Sequence, residues 1–203
     1  MMVVKRMVDI ILSIVALVVF FPLLIIVAIL IRTRLGSPIF FTQYRVGKNG
    51  KIFKMIKFRS MLNSKDKSGD LLADGKRLTA LGSVLRSTSI DELPELINVI
   101  RGEMSLVGPR PLLVEYITRY SKRQYRRHEV LPGLTGWAQI NGRNIISWEK
   151  KFELDVWYVE NWSILLDIKI IIMTFGKVFK KSGINQDDNV TMEEFMGNEN
   201  GDE

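Results

Sequence analysis

The chain has 203 residues, with 29 Lys and Arg against 22 Asp and Glu, one histidine and no cysteine. That composition excludes disulfides, Cys-ligated zinc and thiol nucleophiles. A Ser-His-Asp triad would rest on His128 alone, and no nucleophile-elbow sequence serves it.

Charge is unevenly spread. Residues 185–203 hold seven acids and no base, so the rest of the chain sets its 29 bases against 15 acids, 22 less those seven. A body this basic suits an anionic partner: nucleic acid, anionic lipid or a phosphorylated substrate. The basic residues are dispersed rather than interleaved with aromatics, which argues against nucleic acid. His128, between Arg127 and Glu129, reads as a surface or hydrogen-bonding residue.

In chain order, residues 10–31 are apolar except for Ser13 and are interrupted by Pro22. About 22 residues at ~1.5 Å each just cross a ~30 Å hydrocarbon core. The run is long for a cleaved signal and no small-residue cleavage site follows, so it reads as a membrane anchor. Lys5 and Arg6 precede it, and Arg32 and Arg34 follow, which gives no orientation. Proline removes a backbone donor and crowds the preceding turn. Bent at Pro22, arms of roughly 12 and 9 residues are too short to span, and the segment would enter one leaflet and return. Residue physics leaves the bent and the spanning forms open.

Residues 38–45 and 51–60 read as strands joined through "VGKNG", with Asn49-Gly50 as the turn signal. Lys57 and Arg59 share a strand face with Phe53 and Met55. Residues 63–76 form a loop, and Leu78, Leu81 and Leu85 mark a helix ending near Arg86. Residues 104–111 and 127–144 read as loops, and 148–159 as a helix carrying Asp155. Residues 162–181 are very apolar but broken by Asp167 and Lys169, which suits an interfacial helix with snorkelling lysines or a core helix. The acidic tail reads as loose.

The stretch "SIDELPELINVIRGEMSLVGPRP", 89–111, concentrates the chemistry. Leu93, Leu96, Ile97 and Ile100 recur on one helical face, and Gly102 stops the helix. Pro94 is tolerated only in a first turn, so the helix is expected to start at Ile90 or Asp91. Asp91 there fits an N-cap. It also fits a second role. Lys57, Arg59, Arg86 and an Arg110 stiffened between two prolines would cradle phosphate. Two acids inside that cradle suit a carboxylate nucleophile and a Mg²⁺ shared with substrate phosphates. Spacing alone leaves both readings open.

At "KFRSM" (57–61), "LRSTSIDELPELINVIRGEMSLVGPRP" (85–111), "PGLTGWAQINGRN" (132–144) and "KFELDVWYV" (151–159) the chain resembles the bacterial sugar transferases of the small monotopic kind, the polyprenyl-phosphate phosphoglycosyl transferases. The resemblance covers nearly the whole chain except the tail. It implies transfer of a sugar-1-phosphate from a UDP-sugar to undecaprenyl phosphate, releasing UMP, with Mg²⁺ as cofactor. Asp91 would be the nucleophile and Glu92 its partner, both at the metal. Lys57, Arg59, Arg86 and Arg110 would bind phosphates, with Arg143 and Asp155 as further substrate-binding candidates. Asp167 is expected to pair with Lys5 or Arg6 rather than to act in catalysis.

The implied fold is an α+β membrane protein. A re-entrant membrane helix (1–35) would carry a mostly helical catalytic domain (36–184) with a β-hairpin and interfacial amphipathic helices, followed by an acidic flexible tail (185–203). The implied location is the cytoplasmic face of the bacterial inner membrane, among membrane lipids, with homodimerisation left open. Two positions depart from close relatives: Phe21 precedes Pro22 where they carry serine, and Leu131 stands where they often carry arginine.

Overall fold

A computed structural model of the chain describes residues 2–66, 68–142, 146–180 and 194–197. Helix α1, Met2–Arg34, runs through Pro22 as one hydrogen-bonded element and is long and apolar enough to cross a membrane. Its buried residues are Asp9, Ser13, Val27 and Ile31, and Val18, Val19 and Phe21 are exposed. A helix apolar on every side is made for lipid or for a protein interior. Here only one stripe meets protein.

Both ends of α1 are tied to the same body. At its start, the Lys5 ammonium donates to Asp167 Oδ2 at 2.5 Å and the Arg6 guanidinium to Ile100 O at 3.0 Å. Asp9 accepts from the Ser105 hydroxyl at 2.8 Å and from the Leu106 N–H at 3.3 Å. Near its other end, Val27, Ile31 and Leu35 bury against Phe58 and Leu85. Asp167 also accepts from the Tyr158 hydroxyl and from the Trp162 indole. The expected pairing of Asp167 with Lys5 is therefore present, inside a larger polar hub.

Strands β1 (Phe40–Val46) and β2 (Ile52–Phe58) form the expected antiparallel hairpin. It turns at Asn49 and Gly50, which sit at φ +55° and +76°, conformations open to Asn and Gly. Phe53 and Met55 alternate inward and pack on Val99 and Met104. After a single turn, α2 (Asp74–Arg77), comes α3 (Ala80–Ser87), whose first turn is capped by the Thr79 hydroxyl. Helix α4 spans Glu95–Arg101, and Gly102 at φ +86° ends it as expected.

The two stretches read as loops hold more order than their sequences suggest. Strand β3 (Ser105–Val107) pairs in parallel with β4 (Gly133–Thr135). Each is three residues long, too short for a visible alternation. Glycines let the segments touch: a Cβ on Gly133 would lie 2.0 Å from Gly108 N, and one on Gly136 2.1 Å from Gly108 O. Short helices α5 (Lys122–Tyr125) and α6 (Trp137–Asn141) flank β4. Helices α7 (Trp148–Asn161) and α8 (Ile164–Lys180) complete the body. On α8, Ile170 is buried in the core while Leu165, Ile168, Ile172 and Phe175 stay exposed.

Within the stretch expected to be a loose acidic tail, residues 194–197 are described, and Phe195 there is 2% exposed. Its ring packs on Tyr116, Tyr120, Trp148 and Phe152. The Arg119 guanidinium donates to Glu194 at 2.9 Å. One large aromatic side chain outweighs the polar character of its neighbours. Phe195→Ala is expected to cost about 3 kcal/mol. It should lower Tm and speed proteolytic loss of the C-terminus. Unchanged cleavage would show that the ring is not docked in solution.

Candidate active site

The dyad stands in a tight turn, not at a capped helix start. Residues Ile90–Glu92 form a 3-10 turn, Ser89 before it is left-handed at φ +56°, and α4 begins only at Glu95 after Pro94. The N-cap expected of Asp91 is absent, because the proline moves the start of the helix past it. Asp91 is 8% exposed, and its carboxylate accepts no hydrogen bond from the described residues. Burial, then the charge of Glu92, push it up to about 6, against the pull of Lys57, Arg86 and Arg110.

Glu92 is clamped. Its Oε1 accepts from Lys57 Nζ and from Arg110 Nη2, both at 2.7 Å. Burial opposes its charge, but Arg110 and Lys57 win and hold Glu92 well below the usual carboxylate range. Glu92 in turn raises Arg110. The cost of burying a carboxylate is met here by two charge-assisted hydrogen bonds. Arg86, exposed, donates to the Ser60 hydroxyl at 3.1 Å and adds its field at Asp91. The structure thus brings Asp91, Glu92, Lys57, Arg86 and Arg110 together: one carboxylate free of hydrogen-bond partners, with cations around it.

Two other predicted site residues, Arg59 and Asp155, take other partners. Arg59 lies just past β2 and gives its guanidinium to Ser37 O at 2.8 Å and to Leu35 O, fastening the exit of α1. Its Nη1 and Nη2 are spent on backbone and it is 5% exposed, while its Nε has no hydrogen-bond partner among the described residues. Asp155 is sealed in an ion pair with Arg127 at 2.8 Å, their side chains 2% and 1% exposed. Arg143 lies outside the described residues. His128, read as a surface or hydrogen-bonding residue, is buried between the rings of Tyr120 and Tyr125, and burial and then Arg127 push it down to about 3.

Sequence reasoning passed over Glu95 and Arg127. Glu95 lies 3.1 Å from Lys57 Nζ, is 3% exposed, and is pushed up by burial and by Glu92. Arg127 donates to Arg110 O at 2.7 Å and so fixes the backbone of the Pro-Arg-Pro loop. A one-turn offset from Asp91 was the only available signal for Glu95; nothing local marked Arg127.

Among the described residues no three acids or histidines converge to cage a metal. Mg²⁺ needs less than a cage: one or two carboxylates, with substrate oxygens and water completing the octahedron. Asp91, and the Glu92 oxygen that Lys57 and Arg110 leave free, meet that requirement.

The site is thus a buried acid among three cations, in a chain whose α1 is long and apolar enough to cross a membrane. The profile of the bacterial sugar transferase family matches residues 1–181, and the chain belongs to that family. It is 53% identical over 196 residues to the uncharacterized sugar transferase EpsL of Bacillus subtilis (strain 168), covering 97% of each chain. The exopolysaccharide production protein ExoY of Sinorhizobium fredii is 38% identical, over 88% of this chain and 87% of that one. The UDP-glucose:undecaprenyl-phosphate glucose-1-phosphate transferase of Klebsiella pneumoniae is 43% identical, over 88% of this chain and 40% of its own length.

Proposed function

We propose that this protein transfers a sugar-1-phosphate from a UDP-sugar to undecaprenyl phosphate, and that Asp91 carries the phosphosugar between them. The observation that carries this reading is the Asp91 carboxylate, free of hydrogen bonds and ringed by Lys57, Arg86 and Arg110. An Asp91 oxygen attacks the β-phosphorus. The bond from that phosphorus to the bridging oxygen breaks, and UMP leaves with the electron pair. An oxygen of undecaprenyl phosphate then attacks the same phosphorus, freeing Asp91 and giving undecaprenyl-diphosphate-sugar. Arg110 and Lys57, oriented by Glu92, neutralise the equatorial oxygens as charge builds. A Mg²⁺ held by Asp91 or Glu92 would add Lewis-acid stabilisation of the phosphate oxygens.

Because the lipid acceptor stays in the membrane, the site must lie at its surface. Attachment of both ends of α1 to one body supports a helix that enters and leaves by the same face. A spanning helix would leave one end on the far side of a ~30 Å core. The exposed apolar residues of α8, Leu165, Ile168, Ile172 and Phe175, give a second surface for lipid. The body then faces the cytoplasm at the inner membrane, where nucleotide sugars are made.

The test is UMP release by detergent-solubilised protein from a panel of UDP-sugars with Mg²⁺, with and without undecaprenyl phosphate. Sustained UMP that requires the lipid is expected, and the active donor names the sugar. Absence of UMP from every donor, together with no phosphosugar adduct on Asp91 by mass spectrometry, would sink the reading.

A further inference from the structure

Strand β1 ends against the loop that carries Arg110. The Val46 N–H donates to Leu112 O at 3.2 Å, and Arg45 bridges Leu113. Two backbone contacts therefore fix Arg45 beside the Pro-Arg-Pro loop. In the hairpin register Arg45 faces Phe53, Gln43 faces Met55 and Phe41 faces Lys57. Residues two apart share a face, so Arg45 projects from the same side of the hairpin as Lys57.

The guanidinium of Arg45 is only partly used. Its Nη2 donates to Gln43 Oε1 at 2.7 Å. Its Nε and Nη1 are buried without a hydrogen-bond partner. Buried donors on a permanent cation are expensive when left empty, and native interiors fill them with an acceptor, water or an ion. The neighbourhood makes the deficit worse. Burial, and then the charge of Arg110, weaken the hold of Arg45 on its proton, while Glu95, Tyr116 and Glu115 oppose them. None of those three opposing groups is within hydrogen-bond reach of the two empty donors. Arg110 itself spends one nitrogen on Glu92, and its side chain is 45% exposed. Arg45 therefore lies in the field of Arg110, with two unused donors and a deficit of negative charge that Arg110, paired with Glu92, does not share. That is the chemistry of an oxyanion site.

We propose that Arg45 is a second substrate-phosphate ligand, acting with Arg110 on the phosphate oxygens that enter beside Asp91. The inference rests on the phosphate-handling reading of this site. The oxygens belong either to the nucleotide donor or to the lipid phosphate, and the experiment separates those sources.

Wild type, Arg45→Gln and Arg45→Lys are compared by UDP binding in calorimetry, by KM for undecaprenyl phosphate, and by Tm. If the phosphate is the nucleotide's, Arg45→Gln should weaken UDP roughly tenfold or more. Lysine should recover part of that loss, because it restores the charge but not the planar fork. If the phosphate is the lipid's, UDP affinity holds and KM for undecaprenyl phosphate rises by a similar factor. Should Arg45→Gln fail to fold, Arg45→Lys at wild-type Tm gives the same discrimination. Unchanged UDP affinity and unchanged lipid KM in a folded variant would overturn the assignment. The UDP arm needs no turnover. Loss of UDP binding in the variants, with no UMP release by wild type, would keep Arg45 as a phosphate ligand and remove the transfer reaction.

Discussion

Asp91→Asn is expected to reduce UMP release roughly 10⁴- to 10⁶-fold, the scale of losing a nucleophile. The amide keeps the shape of the side chain but offers phosphorus no anionic oxygen. The same substitution should stabilise the fold. Burial and the Glu92 charge raise Asp91 from 3.8 to about 6. A folded-state pKa above the unfolded one means that ionisation opposes folding. That cost, on the order of 2–3 kcal/mol, is full above pH 6, fades between about 6 and 4, and is absent below. Asparagine removes it, so the variant should have the higher Tm at pH 7 and no advantage at pH 3.5. In wild type, kcat/KM should fall about tenfold per pH unit below 6 as Asp91 protonates. An asparagine variant with normal turnover would remove Asp91 from the chemistry. A variant inactive but no more stable at pH 7 would mean the buried charge is compensated by more than Lys57, Arg86 and Arg110.

Asp155→Ala is the largest expected loss of stability, about 3–5 kcal/mol. It leaves the Arg127 guanidinium, 1% exposed, without its counter-charge. The rings of Tyr120 and Phe152 lie 6.0 and 5.7 Å from that guanidinium and offer only weak compensation. Removing both charges, as in Asp155→Leu with Arg127→Met, should recover most of the loss in Tm. Activity should stay low in the double variant, because Arg127 also holds the Arg110 carbonyl. Asp155→Ala that folds normally and raises only the KM for the UDP-sugar would instead restore Asp155 as a substrate contact. Stability and KM therefore separate the two roles cleanly.

The Klebsiella pneumoniae relative is named for glucose-1-phosphate transfer with undecaprenyl phosphate, and the Sinorhizobium fredii relative for exopolysaccharide production. Membrane association would account for the apolar surface that α1 and α8 leave exposed. The free energy of holding that surface in water would be prohibitive, and burial in lipid would relieve it.

What could be read from the chain alone is what neighbours in sequence decide. The Asn49-Gly50 turn, the end of α4 at Gly102, the hairpin alternation and the apolar run of α1 all follow from local sterics and periodicity. The association of Asp91 and Glu92 with Lys57, Arg86 and Arg110 was legible through motifs, not spacing. The tertiary structure decided which charges gather around Asp91 and which hold the scaffold. Lys57 and Arg59 are two residues apart on the same nominal face, yet Lys57 meets Glu92 and Arg59 meets the carbonyl of Leu35. Asp155 and Asp91 are both buried acids, yet one is paired with Arg127 and the other accepts no hydrogen bond from the described residues. Lys5 with Asp167, and Phe195 in its aromatic pocket, join segments far apart in the chain. The role of a charged group depends on the water it has lost and the partner it has gained, and both are set by whatever distant segment packs over it.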